Sequence, residues 1–132
     1  MSNLFSHLRV SSEYSISQGL LTVDQIVDNA IKHSIPSVAL TDRSNMFGLV
    51  KFFNKCEAAG IKPISGASIR LIFENDDESN ELLCLAKTNI GHKNLMKIIS
   101  QAHNNNSFNT PIIKFSELIG LKNDVIVISG GK

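Results

Sequence analysis

The sequence predicts an α/β fold, and three observations carry that reading. Short apolar runs of strand type alternate with helices that bury one face. The junctions between them are polar turns of the kind that follow a parallel strand. Hydrophobic residues make up 42% of 132 residues, enough for one core and too many for a disordered chain. Alternation of this kind implies βαβ units and a largely parallel sheet. Periodicity alone does not decide between an open sheet and a barrel. The chain has the size of one domain and shows no internal repeat.

Each element has a local reason. Leu8 to Val10 is a short strand candidate, followed by the polar loop "SSEYSISQG". Thr22 with Gln25 three residues on fits a capping box, and Val23, Ile26, Val27 and Ala30 give the buried stripe of the helix it opens. Ser34 and Pro36 end that helix. "SVAL" is the next strand. Asn45 is expected to cap a second helix with the stripe Leu49, Phe52, Phe53 and Cys56, and Gly60 stops it. "IKPISG" reads as a strand and turn. "ASIRLIF" alternates like a half-exposed strand, and "ELLCLAKT", beyond the acidic loop "ENDDESN", reads as its antiparallel partner. Asn89 to His103 is a third helix, with Leu95, Ile98, Ile99 and Ala102 buried. "NNNSFNTP" is a loop, "SELIG" a helical turn, and "DVIVISGG" a continuous apolar strand. A βα series that stops on a strand reads as part of a longer polypeptide.

Composition excludes several function classes. The formal net charge is +1, from 13 basic and 12 acidic residues that are scattered along the chain, so its own charge is a poor anchor for nucleic acid. No apolar run approaches the roughly 20 residues of a membrane span, and no signal peptide is visible, which points to a cytoplasmic protein without a membrane partner. Cys56 and Cys84 read as buried thiols, not as a disulfide.

In parallel α/β folds, ligands collect at the carboxyl ends of strands. Those ends supply Ser11, Ser12 and Glu13; Thr41, Asp42 and Arg43; Gly66 and Ser68; and Ser129 with Gly130. Arg9 can point the same way. A catalytic zinc needs about three His, Asp, Glu or Cys ligands, and His7, Glu13 and Asp42 are the candidates. Arg9 and Arg43 argue against a cation. Two like unit charges about 4 Å apart at an effective dielectric near 20 repel by about 4 kcal/mol. A pair between Asp42 and Arg43 or Arg9 is the structural alternative. His33, His92 and His103 read as surface or capping residues. Ser11 and Ser12 have no readable base beside them, so they read as turn residues.

Five blocks now carry a specific likeness: "HLRVSSEYS", "ALTDRSNMFGLVKFF", "AAGIKPISG", "LLCLAKTNIGHKNLMKIIS" and "VIVISGG". In order and spacing they resemble the start of the alpha subunits of bacterial replicative DNA polymerase III, across nearly the whole chain. That region is a PHP (polymerase and histidinol phosphatase) domain, a distorted β/α barrel, of which residues 1–132 would be a partial domain, the N-terminal half. The likeness implies a parent that is a DNA-directed DNA polymerase, a nucleotidyltransferase, with Mg2+ in a palm beyond this chain. It implies a proofreading exonuclease (epsilon) subunit as partner, and sliding clamp and DNA as partners through the rest of the parent.

Metal-bound members of the family begin with a His-Leu-His-x-His-Ser block. Here the positions are His7, Arg9 and Ser11. The Thr-Asp-His-Gly block is Thr41, Asp42, Arg43 and Ser44; an expected glutamate is Ser68; an expected histidine is Glu81. The likeness therefore implies a degenerate site at His7, Arg9, Ser11, Asp42, Arg43, Ser68 and Glu81, with no metal, catalytic or cofactor-binding residue. The expected role is a non-catalytic scaffold. Two alternatives stand beside it: a working metallophosphoesterase or nuclease using His7, Glu13 and Asp42, and a free-standing interaction module. A partial barrel leaves strand edges unpaired, so self-association is also expected.

Overall fold

The computed structural model describes residues 6–15, 19–73, 78–104, 111–120 and 123–129. The elements run α1 (Val23–Lys32), β1 (Ser37–Leu40), α2 (Leu49–Ala59), β2 (Lys62–Ile72), β3 (Asn80–Ala86), α3 (Asn89–Asn104), β4 (Ile113–Lys114), α4 (Phe115–Ile119) and β5 (Val125–Ile128). The chain is α/β, as its alternation predicts. The first four residues of the loop "ENDDESN", most of "NNNSFNTP" and Gly130 lie outside the described residues.

Local chemistry sets the helices. Thr22 Oγ1 accepts from the Gln25 amide at 3.1 Å, and Gln25 Oε1 accepts from the Thr22 amide at 2.9 Å, so the capping box closes at both ends. Gly60 ends α2 at φ 73°, a left-handed value that costs glycine nothing. Asn45 does not cap α2. Its side chain donates to the carbonyls of Tyr14 and Arg43, and Gly48 stands at the helix start without a side-chain cap. Its Oδ1, the atom a cap would use, accepts from the Phe47 amide at 3.3 Å, within the turn that precedes the helix.

β2 is the axis of the sheet. It pairs β3 antiparallel along one edge. Its other edge is covered in turn by β1, parallel; by Arg43, which bridges Ser68; and by β4, parallel. β5 pairs β3 antiparallel and stands at the edge of the described sheet. The sheet is thus mixed, not largely parallel. The connection from β2 to β3 is too short for a helical crossover, which takes a dozen residues or more, so the two form a hairpin. β2 is also one unbroken strand where a turn was expected near Gly66. A Cβ built on Gly66 falls 2.6 Å from the Cys84 carbonyl oxygen and 3.0 Å from Thr41 Cγ2, so close packing explains that glycine. Leu8 to Val10 forms no full strand, yet it runs beside β1: Ala39 N donates to His7 O and Thr41 N to Val10 O.

Two cores flank the sheet. Ala67, Ile69, Leu71 and Cys84 meet Leu95, Ile98 and Ile99 of α3 on one side. Leu40, Phe52, Cys56 and the buried stripe of α1 form the second. A smaller cluster of Ala39, Leu83 and Leu85 covers the opposite face of β3. β2 is therefore buried on both faces from Ser65 to Ile69, not half-exposed. β5 is the apolar strand expected from "DVIVISGG", but only Val125 is buried; Ile126, Val127 and Ile128 are exposed. No described helix is long and apolar enough to cross a membrane.

Burial raises the Cys56 thiol from its ordinary 9.0 to about 11 and Cys84 to about 12. Both thiols stay neutral in the folded chain, and unfolding lets them ionise. The stability tied to their neutrality is present below pH 9.0 and is lost as pH rises toward about 11 to 12. Urea titrations should show a falling midpoint above pH 9, and Cys84→Ala should flatten that fall.

Candidate functional site

The loop after β1 and the loop at residues 11–15 meet around one carboxylate. Asp42 is 1% exposed. Its Oδ1 accepts from the Ser12 amide at 2.6 Å and from Ser15 Oγ at 2.7 Å, and its Oδ2 accepts from Ser12 Oγ at 2.6 Å. Ser15 Oγ also accepts from the Arg43 amide at 2.9 Å. Three short donors to a buried carboxylate satisfy its charge without a cation.

Glu81 holds the charge pairs. It is buried, at the start of strand β3. Arg9 Nη2 lies 2.8 Å from Oε1, and Arg43 Nη2 lies 3.5 Å from Oε2. The expected pairing of Asp42 with an arginine is therefore corrected. Both arginines reach across to Glu81, because hydroxyl and amide donors already fill Asp42. The arginine side chains are 48% and 28% exposed, so solvent screens these pairs and limits what they add to stability.

The other expected positions separate. Ser68 sits in mid-strand, not at a strand end; its amide donates to Asp42 O at 3.1 Å and its hydroxyl to Thr41 O at 3.3 Å. It serves the backbone. Ser11 is half-buried and Glu13 is exposed. His7 lines a separate cavity of ≈ 350 Å³ with Val10, Leu21, Asn29 and His33. His92 Nδ1 contacts Ser65 Oγ at 2.7 Å, and His103 Nε2 contacts Ser44 O at 2.7 Å, so both tie α3 to the sheet side instead of capping it.

A divalent ion does not fit this arrangement. Among the described residues no three His, Cys, Asp or Glu side chains converge. Both oxygens of Asp42 accept protein donors, and each oxygen of Glu81 faces a guanidinium. An ion placed there would meet about 4 kcal/mol of repulsion per unit charge at about 4 Å and an effective dielectric near 20.

Sequence reasoning missed Ser15, Arg70 and Tyr14. Arg70 had a readable signal. It shares the phase of Ser68 on β2, opposite to Ile69 and Leu71, and stands across from Glu81 on β3. With Tyr14, Arg43, Phe47 and His103 it lines a cavity of ≈ 420 Å³.

Asp42→Ala would leave the Ser12 amide and two hydroxyls without their acceptor. We expect a loss of about 2–5 kcal/mol in chemical denaturation. Arg9→Ala, at a half-exposed pair, should lose no more than about 1 kcal/mol. Equal losses would mean that the carboxylate does not organise the loops.

The chain is 40% identical over 130 residues to a DNA polymerase III subunit alpha from Vibrio cholerae and 40% identical to one from Escherichia coli strain K12. Each match covers 97% of this chain and 11% of the relative, so the chain spans about a ninth of their length. Among solved structures, an amidohydrolase from Chromobacterium violaceum, crystallised with sulfate, superposes with a TM-score of 0.61 at 19% identity, over 75% of this chain and 33% of that one. That likeness concerns the fold alone, the barrel type that the sequence blocks imply. Residues 7–132 match the PHP domain, and the chain belongs to that family.

Proposed function

We propose that this chain is the PHP part of a bacterial replicative DNA polymerase III alpha subunit, and that it serves there as architecture. The observation that carries this reading is the pair of guanidiniums on Glu81, in a chain 40% identical to alpha subunits over 97% of its length. The parent is a cytoplasmic enzyme that adds deoxynucleotides to a primer, with Mg2+ in its palm and with sliding clamp and DNA as partners of the remaining domains. The present chain contributes a rigid platform that docks the proofreading exonuclease subunit.

The docking is tested with the full alpha subunit and the exonuclease subunit of the same organism. Co-elution in gel filtration is expected, and its loss when residues 1–132 are deleted. Unchanged co-elution after deletion would refute docking here. Scaffold status is tested separately, by incubating the chain with Mn2+ or Zn2+ and a phosphomonoester or a primer end. No turnover is expected. Turnover abolished by Asp42→Ala would establish the rival reading, a working PHP phosphoesterase.

The exposed edge of β5 gives a further expectation for the 132-residue chain by itself. Ile126, Val127 and Ile128 are 46%, 43% and 36% exposed on a strand paired only by β3 among the described residues. Such an edge recruits another strand. Light scattering should find dimers, and Val127→Lys should shift them to monomers. A wild-type monomer at high concentration would refute it.

A further inference from the structure

We propose that the exposed face of α3, with the adjoining ends of β2 and β3, is a contact for single-stranded nucleic acid. Lys62, Lys87, Lys93 and Lys97 take the phosphates, and a base enters the cavity lined by Phe53 and His92. Folding gathers this charge. The basic residues are scattered along the sequence, but several are bound to acids elsewhere. Lys51 and Lys55 pair with Asp24 and Asp28, and Arg9 and Arg43 with Glu81. Lys62, Lys87, Lys93 and Lys97 are exposed and form no ion pair among the described residues.

The four lysines share one surface. Lys62 and Lys87 line a cavity of ≈ 520 Å³ with Phe53, Asn89 and His92. Lys93 and Lys97 line a shallow groove on α3 with Met96 and Ser100. Asn89, Lys93 and Lys97 follow one another at four-residue steps, so one row of side chains joins the cavity to the groove. No Asp or Glu lines either of them. The elements around them hold two further acids: Glu57, exposed on α2, and Asp124, which accepts from the Thr88 hydroxyl at 3.0 Å. Two acids do not cancel four lysines. The acidic stretch 74–77 comes after β2 ends at Ile72, whereas Lys62 opens that strand; its 11 residues, at about 3.3 Å each, put the two ends about 33 Å apart. Nor does α3 relieve its own charge. It contains no acid, so neither Lys93 nor Lys97 has a carboxylate one turn away within the helix. Like charges at that spacing repel, and an anionic chain laid along the row removes the repulsion.

The cavity supplies what a base needs. The Phe53 and His92 rings lie 6.5 Å apart, tilted by 37°. Both side chains are half-buried, and His92 Nδ1 meets Ser65 Oγ at 2.7 Å, which fixes the imidazole. A held ring that lines an open cavity is a platform on which a base stacks. A basic track beside such a platform is how proteins hold single strands without reading their sequence. An acidic peptide would use the lysines and leave the rings without a partner.

Fluorescence anisotropy of the chain with a labelled oligodeoxythymidylate of about 12 nucleotides tests the proposal, a length within the range of about 4–16 for single-strand sites. Saturable binding is expected, with log K falling against log salt at a slope of about −3, from four phosphates at about −0.7 each. The double variant Lys93→Gln with Lys97→Gln alters only exposed side chains. It should weaken binding by at least about tenfold and bring the slope to about −1.4. An abasic oligomer of the same length should bind at least about fivefold more weakly than the oligodeoxythymidylate, and so should polyglutamate of the same charge. No binding at low salt, or an unaltered affinity and slope in the double variant, would overturn the site. Abasic binding as tight as that of the oligodeoxythymidylate would overturn the base contact, and polyglutamate binding as tight would overturn the choice of nucleic acid.

Discussion

The saturated carboxylate of Asp42 is the contact on which the rest of the molecule depends. A buried charge without partners costs several kcal/mol. Here the partners come from a segment about thirty positions earlier, Ser12 and Ser15. The chain cannot bury Asp42 without also docking the 11–15 loop. Once that loop is docked, Ser15 Oγ receives the Arg43 amide, and Asn45 ties Tyr14 to Arg43. The Arg43 guanidinium is then delivered to Glu81, which belongs to a different strand and a different core. One carboxylate thus couples the first loop, the β1 terminus and the β2–β3 hairpin.

The two acidic groups are satisfied by different partners, and the difference matters for chemistry. Hydroxyl and amide donors occupy both oxygens of Asp42. Guanidiniums do the same for Glu81 while adding formal charge of the opposite sign. Neither carboxylate is left as an open ligand or a base. The positive charge around Glu81 is larger than Glu81 needs.

Much of the fold was legible because it rests on local rules. The capping box of α1, the apolar stripes of the three long helices and the stop at Gly60 are decided within a few residues. The hairpin of β2 and β3 was legible from alternation across a short loop. Errors arose where a residue's role is set from a distance. Asn45 looks like a cap until Tyr14 and Arg43 carbonyls compete for it. Gly66 looks like a turn until Cys84 and Thr41 press against it. The blocks that resemble PHP domains identified His7, Arg9, Asp42, Arg43 and Glu81 as corresponding positions, but no spacing rule says which acid an arginine will choose. That choice was fixed by Ser12 and Ser15, which satisfied Asp42 first.

The arrangement also bears on how carboxylates at strand ends can be satisfied from within the chain. A cluster of carboxylates at strand ends requires positive charge or strong donors to fold at all, because like charges in a partly buried cleft repel. A bound ion supplies that charge from solution, and folding then depends on its concentration. Arginine supplies it from the chain, and on long side chains whose outer parts stay in water, so the desolvation cost falls on the carboxylate alone. What remains is a stiff junction of two loops and a hairpin with a cationic face.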